Sequence, residues 1–224
     1  VSTEEHARDD TATDKDGGGH SFWREAAILL LIAAVVAVVV RVFVMQTFYI
    51  PSGSMEETLL LNDRVLVNKI GARFGGPKRG EVVVFKPPVS WRTDPDEEDF
   101  IKRVIGVAND HVSCAVDGQG RSAPASVTGH IVVNGKALDE PYVNSDSQPC
   151  TEAFDITVPA DRIFVLGDHR GASGDSRYHL NDSSSPSGTI ATSDVVGRAE
   201  FIYWPVSRWR TLPVPDTFAG VPAP

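Results

Sequence analysis

The chain has 224 residues, 42% of them hydrophobic, with 21 Lys+Arg against 30 Asp+Glu for a formal net charge of -9. The acidic balance excludes a nucleic-acid binder that works by neutralising phosphates, and the apolar content excludes wholesale disorder. Two cysteines, Cys114 and Cys150, are too few for a disulfide-built mini-fold or a four-cysteine zinc site; they can form one bridge, which persists in an oxidising compartment.

In chain order, residues 1–22 read as a disordered, solvated tail, in which Glu4, Glu5, Asp9, Asp10, Asp14 and Asp16 face only Arg8 and Lys15 before a run of glycines. Residues 23–47 read as a transmembrane anchor. All fifteen residues of 26–40 are apolar and the run resumes after Arg41; as a helix, 26–47 would span about 33 Å, against a hydrocarbon core of about 30 Å. A buried core helix would be amphipathic, and this segment is apolar all round. A cleaved signal peptide would need its small-x-small site at Ser52-Gly53-Ser54, well beyond the end of the apolar run at Val44. Trp23 and Arg24 suit the membrane interface, whereas Arg41 at the far end and the acidic tail keep the positive-inside rule from fixing the orientation.

Beyond the anchor the texture is β. Residues 63–68, 81–85, 101–107, 131–133, 155–158 and 162–166 are short runs rich in Val and Ile, each bounded by Gly, Pro, Asn or Asp. Asn134-Gly135 between apolar runs predicts a hairpin. No helical pattern of comparable length alternates with these strands, so residues 48–210 are expected to form a mainly β, antiparallel, barrel-like domain. Residues 211–224, rich in Pro and without periodicity, read as a loose tail.

Ser52-Gly53-Ser54-Met55-Glu56-Glu57-Thr58 follows directly on the anchor. Alone, Ser54-x-x-Glu57 is compatible with a helix-capping box. Three further segments give it another meaning: residues 62–69 (NDRVLVNK), Lys102-Arg103-Val104-Ile105-Gly106 with Ala108-Asn109-Asp110, and Gly167-Asp168-His169-Arg170-Gly171-Ala172-Ser173-Gly174-Asp175-Ser176-Arg177. Together, in this order, the four resemble type I signal peptidases, membrane-bound Ser/Lys endopeptidases that remove signal peptides from exported preproteins. Glu57 stands where the family has Pro, Asn109 where Gly is usual, and His169 where Asn is usual.

The resemblance implies Ser54 as nucleophile and Lys102 as general base. A serine hydroxyl needs an adjacent base to attack an amide, and a lysine is a base only when neutral. Lowering an ordinary lysine pKa by about two to three units costs about 3–4 kcal/mol, supplied by burial among neighbours such as Phe100, Ile101, Val104 and Ile105. By the same resemblance Ser173 orients the Lys102 amine, and Ser52 joins the Ser54 backbone N–H in an oxyanion hole. The resemblance further implies that Arg103, Asp168, Asp175 and Arg177 form a structural ionic network, and that Phe48, Ile50, Met55, Leu59, Val65, Phe100 and Ile101 line shallow pockets for a substrate with Ala-x-Ala before the scissile bond, bound as an added strand.

Glu56 and Glu57 must point into water if the dyad is to work, since a nearby carboxylate favours charged lysine. The acidic run Asp94, Asp96, Glu97, Glu98, Asp99 reads as a solvated loop. A Ser54-His169-Asp168 triad is the competing mechanism, disfavoured because adjacent residues tend to point apart. The remaining histidines show no metal-ligand spacing, and neither metal nor cofactor is expected. The expected partners are signal peptides of exported preproteins, membrane lipid and the export machinery, not nucleic acid. The expected location is the plasma membrane, with the tail cytoplasmic and the catalytic domain outside. Ser54 lies seven positions after Thr47, at most about 25 Å of extended chain, so the site is expected near the bilayer; Phe201, Tyr203, Trp204 and Trp209, flanked by Arg198, Arg208 and Arg210, suit a headgroup interface. Two rivals are a tethered β-domain that binds without cleaving and a self-cleaving repressor-type peptidase.

Overall fold

The computed structural model describes residues 18–39, 44–94, 96, 98–115 and 129–224. The chain separates into two units, residues 1–42 and 43–224. In the first, helix α1 (Gly18–Val39) carries the apolar run. Its side chains from Ile28 to Ile32 and at Val35, Val36 and Val38 are all more than half exposed, and apolar residues fall on every side of the helix rather than along one stripe. Among the described residues no helix is long and apolar enough to cross a membrane. The described apolar part, residues 26–39, rises only about 21 Å, and residues 40–43 of the expected anchor lie outside the described residues, as do residues 1–17 of the expected tail.

The second unit holds the strands β1 (Met45–Tyr49), β2 (Arg64–Asn68), β3 (Val82–Phe85), β4 (Phe100–Gly106), β5 (His111–Cys114), β6 (Ile131–Val133), β7 (Lys136–Ala137), β8 (Phe154–Thr157), β9 (Arg162–Leu166), β10 (Ile190–Ala191), β11 (Val195–Trp204) and β12 (Arg210–Thr211), with a short helix α2 (Lys69–Gly75) capped by the Asn68 side chain. The larger sheet runs β1-β2-β11-β3-β4-β9-β10, with β12 also on β11; the smaller runs β7-β6-β5-β8. Every pairing is antiparallel. Among the described residues the larger sheet ends in β1 and β10, so the expected barrel-like domain is a curled, open half-barrel. Register shifts along β11 and between β4 and β9 are bulges that bend and twist it.

The sheets bury their apolar faces in three clusters. One lies between β1, β2 and the residues after Ser54 (Ile50, Met55, Leu59, Val65, Val67). Another surrounds Phe85, Trp91 and Phe100, and the third joins β5 and β6 to Phe164 and Phe218. The predicted hairpin joins β6 to β7, and Asn134 (φ 49°) and Gly135 (φ 81°) take the positive φ that its two-residue turn demands. Cys114 on β5 and Cys150 are joined in a disulfide.

Two expected boundaries move. The anchor's expected end at Thr47 falls inside β1, where Met45, Gln46 and Thr47 pair with Asn68, Val67 and Leu66. Nor is the stretch after 210 loose: Leu212 and Phe218 are buried, Lys136 Nζ donates to the Thr217 carbonyl at 2.9 Å, and Asn134 Nδ2 donates to the Pro222 carbonyl at 2.9 Å. Irregularly spaced apolar residues, Leu212, Val214, Phe218 and Val221, anchor this segment without leaving a periodic signature.

Candidate active site

The turn after β1 places Ser54. Ile50 N donates to the Asp63 carbonyl at 2.9 Å, and Leu59 N to the Met55 carbonyl at 2.7 Å, while Met55 and Leu59 are wholly buried beneath the turn. Burying two such side chains contributes roughly 3–6 kcal/mol of transfer free energy, which fixes the residue between them and the strand. Lys102 comes from the middle of β4, opposite Val83 of β3. Its Nζ lies 2.6 Å from Ser54 Oγ, and the two residues are 5% and 6% exposed. The Phe100 ring lies 5.6 Å from the amine. Ser52 Oγ is 3.4 Å from Ser54 Oγ. A hydroxyl held against a buried amine in this way is an arrangement suited to deprotonation of the hydroxyl.

Ser173 is buried beside Gly167, but its Oγ has no hydrogen-bond partner among the described residues, so the expected bond to the Lys102 amine is not made in this structure. Gly167 permits the approach: a Cβ there would come within 2.5 Å of the Ser54 carbonyl oxygen and 2.2 Å of Ser173 Oγ.

His169 is placed elsewhere. Its backbone N–H donates to the Ser54 carbonyl at 3.1 Å, and its ring Nδ1 lies 3.2 Å from Glu56 Oε2 and 3.3 Å from the Gly53 carbonyl. Asp168 binds Arg103 and Thr58, so these two residues do not form a triad with Ser54. Glu56 is drawn to His169, and Glu57 is exposed with φ 79°. A proline cannot take that φ, so the backbone here differs from what the family's proline would impose. Asn109, at φ 68°, takes the left-handed conformation expected of a residue in a glycine's place.

Behind the groove the four expected charged residues form part of a longer buried chain. Arg103 grips Asp168 through two bonds, Nε to Oδ1 at 2.8 Å and Nη2 to Oδ2 at 2.6 Å, and donates to the Gly80 carbonyl at 2.8 Å. Thr58 Oγ1 also donates to Asp168. Burial opposes the charge on Arg103, but the Asp168 carboxylate outweighs it and holds the guanidinium pKa above its ordinary value. The guanidinium lies 4.1 Å from the Tyr142 ring centroid. Tyr142 donates to Glu140 at 2.6 Å, and Glu140 accepts two bonds from Arg170, at 2.5 and 3.0 Å. Arg177 binds Asp175 at 2.8 and 2.9 Å and the Arg170 carbonyl at 2.7 Å, and Asp175 accepts from Gly167 N at 3.0 Å. Glu140 and Tyr142 were not anticipated from sequence: Asp139-Glu140-Pro141-Tyr142 has the composition of a turn. Arg170 lies inside the fourth motif, and that was its only signal.

Ser54 and Lys102 open onto a groove of about 220 Å³. Of the seven residues expected there, Phe48, Ile50, Phe100 and Ile101 line it. Met55, Leu59 and Val65 do not: each is 0% exposed and belongs to the core beneath the Ser54 turn and β2. Apolar residues next to Ser54 serve either the pocket or the floor under it, and their identity does not say which. Unanticipated lining comes from Trp91, Thr93 and Asp99, so the acidic run is in part a wall of the groove; Asp99 also pairs with Lys86 at 3.4 Å. Among the described residues no cluster of His, Cys, Asp and Glu could hold a metal ion.

A model of the family "Signal peptidase, peptidase S26" matches residues 23–204. A probable signal peptidase I of Mycobacterium leprae is 38% identical over 234 aligned positions, covering 83% of this chain and 77% of the relative. A probable signal peptidase I-2 of Synechocystis is 36% identical, covering 89% and 81%. A solved signal peptidase I from Enterococcus faecalis aligns at 26% identity with a TM-score of 0.37, over 55% of this chain and 95% of that one. The family match runs through all four motifs and most of the chain, and the protein is therefore a member of the signal peptidase family S26, a family of serine endopeptidases.

Proposed function

We propose that this protein removes signal peptides from exported preproteins, with Ser54 as nucleophile and Lys102 as general base. The observation that carries the reading is the 2.6 Å contact between the buried Lys102 amine and the Ser54 hydroxyl. Ser54 Oγ attacks the scissile carbonyl carbon as its proton passes to neutral Lys102 Nζ. The tetrahedral oxyanion is met by the Ser54 backbone N–H and the Ser52 hydroxyl. Lys102 then returns the proton to the leaving amine, which frees the mature chain, and water hydrolyses the acyl-enzyme by the same route in reverse. Ser173, whose hydroxyl has no partner among the described residues, is the group proposed to steady the amine once substrate is bound. Phe48, Ile50, Phe100 and Ile101 support a preference for small residues in the Ala-x-Ala pattern.

The chain is proposed to be held at the plasma membrane by the apolar run that begins in α1, with the catalytic unit on the extracytoplasmic side. The Cys114–Cys150 disulfide supports an oxidising location. Trp204 and Trp209, both more than half exposed, support a contact with lipid. The test is cleavage of a purified preprotein in detergent. Lys102→Arg keeps a cation that never gives up its proton, and Ser54→Ala removes the nucleophile; both proteins should fold, bind the preprotein and leave it uncut, and the wild-type rate should rise with pH as the amine loses its proton. Substantial turnover by Lys102→Arg would remove lysine from the mechanism.

A further inference from the structure

The groove at Ser54 extends past Phe100, two residues along β4 from Lys102, to Trp91 and Thr93 in the connection from β3 to β4. Trp91 closes a short 3-10 turn (Val89–Trp91) and is 4% exposed. It shares an apolar cluster with Phe85 and Phe100 and meets the Phe85 ring edge-on at 6.2 Å. Its indole lies flat on the imidazole of His179, 4.3 Å between centroids and 11° between planes. His179 ends another 3-10 turn (Ser176–His179), capped by Asp175 of the ionic chain. A second tie joins the same two segments, Ser90 Oγ to Ser184 Oγ at 2.7 Å. The buried Trp91 Nε1–H has no acceptor among the described residues.

We propose that Trp91 is a specificity-determining residue, the wall that limits the substrate side chain three positions before the scissile bond, and that His179 is the positioning residue that holds it. This inference rests on the reading of Ser54 and Lys102 as the cleaving pair. In an extended peptide alternate side chains lie on one side about 7 Å apart, the same step that separates Lys102 from Phe100 along β4. A substrate with its last residue over Ser54 therefore brings its third-from-last side chain to the Phe100 end of the groove, against Trp91. A planar indole backed by a stacked ring and two phenylalanines has no room to yield. It accepts Ala or Val and turns away an aromatic ring.

The experiment uses the full-length protein in detergent and peptides that carry Ala, Val or Phe three positions before the scissile bond and Ala at the last position. Two quantities are read: kcat/KM with proteins bearing Ser54, and peptide affinity with the same proteins carrying Ser54→Ala. Trp91→Ala, and the milder Trp91→Leu should the first fail to fold, are expected to raise the Phe-to-Ala ratio in both quantities by about tenfold or more, the scale on which apolar pockets discriminate. His179→Ala should move the ratio in the same direction by less, and His179→Phe, which keeps a flat ring under the indole, should restore it. A merely structural role for His179 would lower all peptides alike and leave the ratio unmoved. Phe-to-Ala ratios that stay at the wild-type value in the Trp91 variants, with cleavage intact, overturn the wall and spare the Ser54–Lys102 reading. Affinity ratios that shift while wild-type protein cuts no peptide support the wall and overturn that reading.

Discussion

Glu140→Leu isolates the buried ionic chain behind the groove. Both partners of the Arg170–Glu140 pair have side chains at 0% exposure. Burial opposes the charge on Arg170, but the Glu140 carboxylate outweighs it and keeps the guanidinium pKa above its ordinary value. Leucine in place of Glu140 leaves that guanidinium buried with, among the described residues, only the Gly167 and Pro149 carbonyls as acceptors, and an arginine does not shed its proton to relieve the cost. Stranding one member of a buried pair costs about 3–5 kcal/mol. For the unit of residues 43–224, at about 2–4 °C per kcal/mol, the melting temperature should fall by about 6–20 °C in calorimetry. Glu140→Leu combined with Arg170→Met removes both charges and should recover at least about 1–2 kcal/mol of the loss, although two carbonyls lose their donor. A single variant within about 1 kcal/mol of wild type, or a double variant less stable than the single by the full cost of Arg170→Met alone, would refute the pairing as the source of stability.

At Glu57, proline is expected to destabilise by more than about 2 kcal/mol, because its ring locks φ near −65° where the chain holds 79°, while glycine should be neutral or stabilise by up to about 1 kcal/mol; a more stable Glu57→Pro protein in urea melts would refute the left-handed backbone. Burial and the Glu140 carboxylate push the Tyr142 pKa well above its ordinary value, so the unfolded chain loses that proton first. Stability is then full below about pH 10 and falls above it by up to about 1.4 kcal/mol per pH unit; Tyr142→Phe should flatten this alkaline slope in denaturant titrations, and an unchanged slope would count against the shift. Trp209, 60% exposed with its indole N–H bonded to the Tyr203 carbonyl at 2.6 Å, lies beside Phe201; Trp209→Ala in a chain of residues 43–224 should weaken binding to anionic vesicles while leaving the circular dichroism spectrum intact, and unchanged partitioning would remove it as a lipid contact.

Most of the central strands were legible because Val and Ile runs bounded by turn residues have few other uses: β2, β3, β4, β6, β8 and β9 each overlap a predicted run. The longest strand, β11, was missed. Gly197 interrupts it, register shifts break its alternation, and its burial follows no period of two, so a pattern argument has nothing to hold. β1 was absorbed into the apolar run before it, since Met45 and Phe48 are as compatible with a helix as with a strand. At the site, Ser54 and Lys102 could be paired because four ordered motifs named them, 48 positions apart in sequence. The assignment of Met55, Leu59 and Val65 to the pocket differs from the structure because which way each side chain faces is decided by how the Ser54 turn and β2 pack on the sheet, which a strand pattern does not carry. Glu140 and Tyr142 were invisible because a polar pair buried by tertiary structure looks the same in sequence as one in a surface turn.

Neighbouring residues on a strand face opposite ways, and β4 uses this at its centre: Lys102 turns to the groove and Arg103 to Asp168. A slip of β4 by one position in one direction would set the Arg103 guanidinium against the Ser54 hydroxyl and Val104 against the Asp168 carboxylate; in the other it would set Ile101 against the hydroxyl and the Lys102 ammonium against the carboxylate. In neither alignment does the hydroxyl face a group that can take its proton. Alignment of β4 with Val83 on one side and Leu166 on the other thus decides whether the Ser54 hydroxyl faces an amine at all, and the doubly bonded grip of Arg103 on Asp168 acts as the key that admits only one alignment.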